Sequence, residues 1–335
     1  MKIAVDAMGG DDAPEVVVRG SLEAASKFGI HVILVGHEAV LTKLLGAHAA
    51  SDRISIHHCE DAVAMGESPL KALRKKKDSS IRVAFRLVKE GQADAVISAG
   101  NSGATLAAGV LVLGRIKGVE RPAIASIVPT EKGPVILIDA GANVDCRPAQ
   151  LFQFGVMAHA FGSSCLNMNN PEIALLNIGE EGGKGNELVR FTYDLFEKST
   201  LNFVGNIEGR DLLKGDVEIV VCDGFVGNVV LKSTEGAVES MARLMKRELM
   251  SSFLGRIAFI LGRKAFFRFE RELSYEEYGG APLLGIKGIG MVCHGGSSAK
   301  AIRNAIHMAA QYAQNQTVEK MSLQLESYNL ERGLS

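Results

Sequence analysis

The stretch AGNSGAT, Ala99 to Thr105, places small residues, a hydroxyl and an amide directly ahead of a helical pattern. Gly100, Asn101, Ser102 and Gly103 would let successive backbone N–H groups approach an anion closely, where the helix dipole favours negative charge. The same glycines also suit a plain strand-to-helix turn. Repetition favours the anion: GANVD with Asn143, GGKGNE with Lys184, GFVGN with Gly224, Gly227 and Asn228, and HGGSS with His294, Ser297 and Ser298 repeat that chemistry at other strand ends. A shared anionic site built from several turns is expected. Lys184, the lysine inside these turns, would set a compact positive charge on a phosphate, against the plainer reading of a solvated loop. Asp6, Asp139 and Asp223 each close a strand, where a carboxylate orients a ligand, binds a metal or caps the next helix.

The first turn, VDAMGGDDAP, differs from the others. Asp11 and Asp12, directly after Gly9 and Gly10, would repel a phosphate, so one of them is expected to cap a helix beginning near Pro14. The two glycines then let Asp6 and the turn backbone border the site.

Absent motifs narrow the chemistry. The chain has no G-x-G-x-x-G, no G-x-x-x-x-G-K-[ST], no H-E-x-x-H and no G-x-S-x-G, so dinucleotide, P-loop, zinc-protease and serine-hydrolase sites lack their fingerprints. Cys293 next to His294, and Cys222 next to Asp223, would point to opposite faces of a strand and make no dyad. The five cysteines, with Cys59, Cys146 and Cys165, are odd in number and lack C-x-x-C spacing, which fits buried structural roles in a reducing cytosol rather than disulfides or zinc. A net charge of −1, without basic stretches interleaved with aromatics, argues against nucleic acid as a partner. The N-terminus is too short in its apolar run for a signal peptide, and no run reaches the ~18 apolar residues of a spanning helix. A soluble protein is expected, with a membrane surface left open.

These turns need elements to carry them. Short β-branched runs such as KIAVDA, HVILVG, DAVISA, VILIDA, EIALLNI, EIVVCD and GMVCHG each lead through a turn into a helical pattern, the signature of parallel βαβ units. Their continuous apolar character indicates strands buried on both faces. The expected fold is a layered α/β/α architecture with a mostly parallel sheet, one unit over residues 1–335, with sites at the carboxyl ends of strands. Residues from about 239 to 277 depart from the repeat and read as a projecting helical hairpin with its turn near SSFLGR. Its tip sets Phe253, Leu254, Ile257, Ile260 and Leu261 beside Arg256, Arg263 and Lys264, a surface that needs a second subunit or a bilayer boundary. The basic run Arg74, Lys75, Lys76 and Lys77 reads either as a docking patch for an acidic partner or as a solvated helix start.

Taken in order, AVDAMGGDDAP, VISAGNSGA, LIDAGANVDCRP, NIGEEGGKGNE, VCDGFVGNVVLK and HGGSSAKAI closely resemble the bacterial phosphate acyltransferases of phospholipid synthesis. The last motif carries one glycine more before its serines than the family's HGSS. The resemblance implies a fold similar to isocitrate and isopropylmalate dehydrogenases and phosphotransacetylases. It also implies transfer of a fatty acyl group from acyl carrier protein to inorganic phosphate, giving acyl phosphate for a membrane-bound glycerol-3-phosphate acyltransferase. It further implies a cytoplasmic homodimer associated peripherally with an anionic membrane. On this reading Lys184, Asn228 and Asp223 are catalytic. Asp6, Gly9, Gly10, Gly100, Asn101, Ser102, Gly103, Asp139, Asn143, Gly224, Gly227, His294, Ser297 and Ser298 surround the substrates, Arg74 to Lys77 meet the carrier protein, and the hairpin tip meets the membrane. Phosphate is already an anionic nucleophile and a thiolate a good leaving group, so the reaction calls for no metal and no cofactor. The rival expectations are an acyl-CoA-dependent phosphotransacetylase, an isocitrate-type dehydrogenase, and a non-catalytic membrane-surface scaffold for lipid enzymes.

Overall fold

The computed structural model describes residues 1–272 and 275–331. The chain begins with β1 (Lys2–Asp6), α1 (Glu15–Phe28), β2 (His31–Gly36), α2 (Glu38–Leu45), β3 (Ile54–His58), α3 (Pro69–Lys75), α4 (Ser80–Lys89), β4 (Ala95–Ser98) and α5 (Ser102–Val112). It continues through β5 (Ala123–Thr130), β6 (Gly133–Ile138), α6 (Pro148–Cys165), β7 (Ile173–Asn177), α7 (Glu187–Glu197), β8 (Phe203–Glu208) and β9 (Ile219–Val221). Two long helices follow, α8 (Gly224–Ser251) and α9 (Phe253–Glu272), and then β10 (Ala281–Leu284), β11 (Ile289–Val292), α10 (Ala299–Gln314) and α11 (Thr317–Glu331).

The strands form one sheet in the order β3-β2-β1-β4-β11-β10-β5-β6-β9-β7-β8. β3, β2, β1, β4 and β11 are mutually parallel, as are β6, β9, β7 and β8. Between them β10 is antiparallel to both β11 and β5, and β5 is antiparallel to β6. The expected mostly parallel sheet is therefore two parallel blocks of opposite sense, joined at β10 and β5. Both faces are covered, which explains the continuous apolar runs. Ile3 and Val5 of β1 pack into the core shared with Val17 of α1 and Ile302 of α10, whereas Ala4 between them packs with Val83 and Ala84 of α4.

Every strand-to-helix unit expected from the sequence is present. The opening turn is a correction: Pro14 itself stands at the N-cap of α1, and no side chain caps that helix. Asp11 instead turns its backbone N–H to the Gly295 carbonyl at 2.9 Å, tying the first turn to the last, while Asp12 offers only its carbonyl to Val16 at 3.2 Å.

The hairpin starts earlier than expected. α8 begins at Gly224 because Asp223 caps it, its side chain accepting from the Phe225 and Val226 amides, and its first turns rest on the sheet before the helix projects. The corner falls at Ser252, whose hydroxyl accepts from the Gly255 amide at 3.0 Å. Glycine is required there, since a Cβ at 255 would overlap the Leu249 carbonyl. Of the expected span 239–277, residues 273–274 lie outside the described residues. No helix among those described is long and apolar enough to cross a membrane.

Candidate active site

A cleft of about 330 Å³ opens where the two blocks meet. Gly100 and Ser102 from the β4–α5 turn, Gly141 after β6, Asn228 and Lys232 on α8, and His294 after β11 line it together.

Its first wall is made by three turns packed backbone to backbone. A Cβ on Gly9 would lie 2.8 Å from the Gly100 nitrogen, and Gly10, at φ +128°, runs along Ala99 and the Gly295 carbonyl. Asp6 sits behind this wall, buried, accepting from the Ser98 hydroxyl at 2.7 Å and the Met8 amide at 3.3 Å. Burial pushes its carboxyl above the ordinary range, against the pull of the Ser80 and Ser98 hydroxyls and the Met8 and Gly9 amides. Asp6, Gly9 and Gly10 thus hold the turns in register and do not line the cleft.

Asn101 is likewise engaged. Its Oδ1 accepts from the Ala104 amide, capping α5, and its Nδ2 donates to the Met65 and Glu67 carbonyls at 2.8 and 3.1 Å. Gly103 lets Pro69 of α3 approach, a Cβ there falling 2.8 Å from the proline ring. The amides of Ser102 and Gly103, in the first turn of α5, have no intrahelical acceptor, so that helix brings its positive end to the cleft.

The second wall is built on Asp139. This buried carboxylate accepts from the amides of Ile124, Gly141, Ala142 and Asn143 and from Asn143 Nδ2, which fixes the turn after β6. Burial raises its pKa while those donors pull it down. Asn143 Nδ2 also donates to the Pro122 carbonyl, so Asn143 is buried in the wall. Gly224 donates to the Asn143 carbonyl at 2.7 Å, and a Cβ on Gly227 would overlap the Asp139 carbonyl. These contacts seat α8 on β6 and bring Asn228 to within 3.5 Å of the position a Gly141 Cβ would take. Of the roles left open for the strand-ending aspartates, Asp223 caps α8, and Asp6 and Asp139 brace their turns. No cluster of metal-ligating side chains occurs among the described residues.

Lys232 is the residue the sequence reading missed. It stands four residues after Asn228, hence on the same helical face, lines the cleft, and pairs with Glu235 at 3.1 Å. Its signal lay in DGFVGNVVLK, where an amide and an ammonium recur at helical spacing within the first turns after a capping aspartate. Lys184, by contrast, is exposed in the β7–α7 loop and does not line the cleft. That loop follows the carboxyl end of β7, two strands from β6 in the sheet.

On the β11 side, His294 Nδ1 accepts from the Gly296 amide at 3.1 Å, which places the proton of the neutral ring on Nε2. Ser297 is buried, and its Oγ has no partner among the described residues. Ser298 caps α10 and donates to Glu276 at 2.6 Å, so its hydroxyl is committed to the helix start.

Thiols offer no nucleophile. Cys293, at the cleft, is buried and its thiol pushed up to about 12; burial takes Cys59 to about 12 and Cys146 to about 11, and raises Cys165 and Cys222. The basic run lies at the C-terminal end of α3 and is not a helix start. Arg74, Lys75 and Lys77 are exposed, whereas Lys76 is turned inward, donating to the Ala62 carbonyl at 2.7 Å and to Glu67 at 2.8 Å. At the hairpin tip Phe253, Leu254, Ile257, Ile260 and Leu261 are all exposed. Phe259 and Phe266 of α9 pack edge to face with ring centroids 5.3 Å apart.

The profile of a family described as fatty acid synthesis protein matches residues 1–320. The phosphate acyltransferase of Trichlorobacter lovleyi is 51% identical over 330 residues, covering 98% of this chain and 96% of that protein. That of Nitratidesulfovibrio vulgaris strain DP4 is 52% identical over 321 residues, covering 95% and 93%. Among solved structures, a phosphotransacetylase from Streptococcus pyogenes superposes with a TM-score of 0.63 at 19% identity, over 95% of this chain and 94% of that one. A 4-hydroxythreonine-4-phosphate dehydrogenase from Klebsiella pneumoniae gives 0.52 at 15% identity, over 94% and 98%. These two share the fold, in line with the dehydrogenase-like layered architecture expected. The near-complete coverage and the identity above half establish that this chain belongs to the phosphate acyltransferase family and is an acyltransferase.

Proposed function

We propose that the cleft transfers a fatty acyl group from the thioester of acyl carrier protein to inorganic phosphate, for use by a membrane-bound glycerol-3-phosphate acyltransferase in phospholipid synthesis. The observation that carries this reading is the meeting of the α5 N-terminus with Asn228 and Lys232 in one cleft. A helix terminus, a carboxamide and an ammonium are suited to an oxyanion and a phosphate held together.

A phosphate oxygen attacks the thioester carbonyl carbon; the new C–O bond forms as the C=O pair moves onto oxygen. The tetrahedral oxyanion collapses, the C–S bond breaks, and the carrier leaves as a thiolate. Lys232 holds the phosphate, the amides of Ser102 and Gly103 with Asn228 stabilise the oxyanion, the Nε2–H of His294 hydrogen-bonds the leaving sulfur, and the released thiolate takes its proton from water. Lys184 adds a second cation from its glycine-rich loop, and Ser297 steadies the His294 turn. Positioning of two reactants supplies much of the rate, with no covalent enzyme intermediate.

Arg74, Lys75 and Lys77, exposed at the end of α3, receive the acidic carrier protein. The exposed Val226, Val229, Met241 and Leu244 of α8 form a face for a homodimer, and the hairpin tip rests on an anionic membrane, making the enzyme cytoplasmic and peripheral. The test is acyl phosphate formation from acyl carrier protein thioester and phosphate, with Lys232→Ala and Asn228→Ala compared with the native chain. Turnover only with acyl-CoA would favour a phosphotransacetylase.

A further inference from the structure

A second groove, of about 370 Å³, opens from the cleft between α8, α9 and β5. Leu213, Leu231, Val238, Ala242, Phe266 and Phe269 give it an apolar wall. Ser126, Ile127, Leu231 and Glu235 line both spaces, so the two are continuous. Residues along α8 order the path: Asn228 and Lys232 at the cleft, Leu231 and Glu235 at the junction, Val238 and Ala242 beyond, and Lys246 at the far end. At 1.5 Å of rise per residue, Leu231 to Lys246 spans ~22 Å. With carbon–carbon bonds of ~1.5 Å, that length suits a chain of well over ten carbons and far exceeds an acetyl group. Glu235, Glu239, Arg243 and Lys246 of this stretch also line the groove, and Arg243 pairs with Glu239 at 3.2 Å at its solvent-exposed rim. An apolar trough continuous with a polar reaction site is the arrangement a long-chain thioester requires.

We propose that this groove takes the hydrocarbon tail of the acyl donor, with the thioester at the Ser126–Glu235 junction, and that Val238, Ala242 and Phe269 set the chain length. The inference rests on the acyl-transfer reading above. Each methylene buried in the groove favours binding by ~4-fold, so kcat/KM climbs steeply with chain length and levels off once the groove is filled.

The test uses the full chain with inorganic phosphate and either octanoyl or palmitoyl thioesters of acyl carrier protein. In Ala242→Trp the ratio of palmitoyl to octanoyl kcat/KM falls by about tenfold or more, the loss of only two buried methylenes at ~4-fold each. Phe269→Ala, at a half-exposed position that tolerates truncation, moves the plateau to longer chains, and it decides the matter if Ala242→Trp loses its cooperative thermal transition. Unchanged ratios and plateau in variants that turn over normally overturn the groove alone. A change of sedimentation behaviour with an unchanged ratio assigns the groove to a second copy of the chain and equally overturns it. Native protein that makes acyl phosphate from neither thioester refutes the acyl-transfer reading itself.

Discussion

Replacing Lys232 by alanine removes the one ammonium among the described cleft-lining residues. In the unliganded chain its Nζ lies 3.1 Å from Glu235, with 48% of the lysine side chain and 22% of the glutamate side chain exposed. So solvated a pair is worth about 0–1 kcal/mol, and Lys232 gives it up readily to a doubly charged phosphate. A hydrogen bond between charged groups contributes about 1.5–3 kcal/mol, and the exposure of Lys232 reduces this to about 1–2 kcal/mol. At 1.36 kcal/mol per tenfold, Lys232→Ala raises the KM for phosphate by ~5–30-fold, with a smaller effect on the KM for thioester. Lys232→Arg recovers part of the loss, and Glu235→Gln lowers the phosphate KM by removing the competing carboxylate. The assay is trapping of acyl phosphate as hydroxamate across a phosphate titration. A phosphate KM within twofold of native in Lys232→Ala would refute the assignment, and the same titration of Lys184→Ala measures what the β7–α7 loop adds.

Gly227→Ala pushes a methyl against the Asp139 carbonyl, costs about 1–3 kcal/mol by overpacking and shifts Asn228 and Lys232; an unchanged denaturation midpoint would contradict the seating of α8. Exchanging Arg74, Lys75 and Lys77 together for alanine raises the KM for the carrier protein and flattens its salt dependence, since exposed charges act over ~10 Å at 0.1 M salt. Lys76→Ala instead lowers stability through loss of its contacts with Glu67 and Ala62, and equal carrier-protein effects from both changes would dissolve that distinction. Leu254→Glu and Ile260→Glu release the protein from anionic vesicles in flotation, and binding that survives both removes the tip from membrane contact. Because thiol pKa values of about 11 to 12 leave little thiolate at neutral pH, iodoacetamide inactivates slowly there and faster as pH rises toward those values; rapid inactivation at neutral pH would point to a thiol nucleophile.

The parallel units were legible because each couples a β-branched run to a turn and a helix period, as in KIAVDA or VILIDA. β5, AIASIVPT, was not, since it passes through Glu131 and Lys132 straight into β6 and lacks the helix that marks the βα units. With β5 went the reversal of sense that creates the cleft. The glycine-rich turns were legible, yet the side chains that their composition suggested are mostly used internally: Asn101 caps α5, Asp223 caps α8, and Asn143 wraps Asp139. Polar residues at turns satisfy backbone groups first, and sequence does not separate that use from ligand binding. Lys232 escaped because it lies on a helix rather than in a turn, where only the seating of Gly224 and Gly227 reveals which face of α8 meets the cleft.

The central claim is tested most directly by supplying the purified chain with long-chain acyl carrier protein thioester and inorganic phosphate, beside acyl-CoA of the same chain length. The account predicts stoichiometric acyl phosphate and released carrier thiol, fastest with the carrier-protein donor and dependent on Lys232. Equal or faster turnover with acyl-CoA, or thioester loss without acyl phosphate, would contradict it.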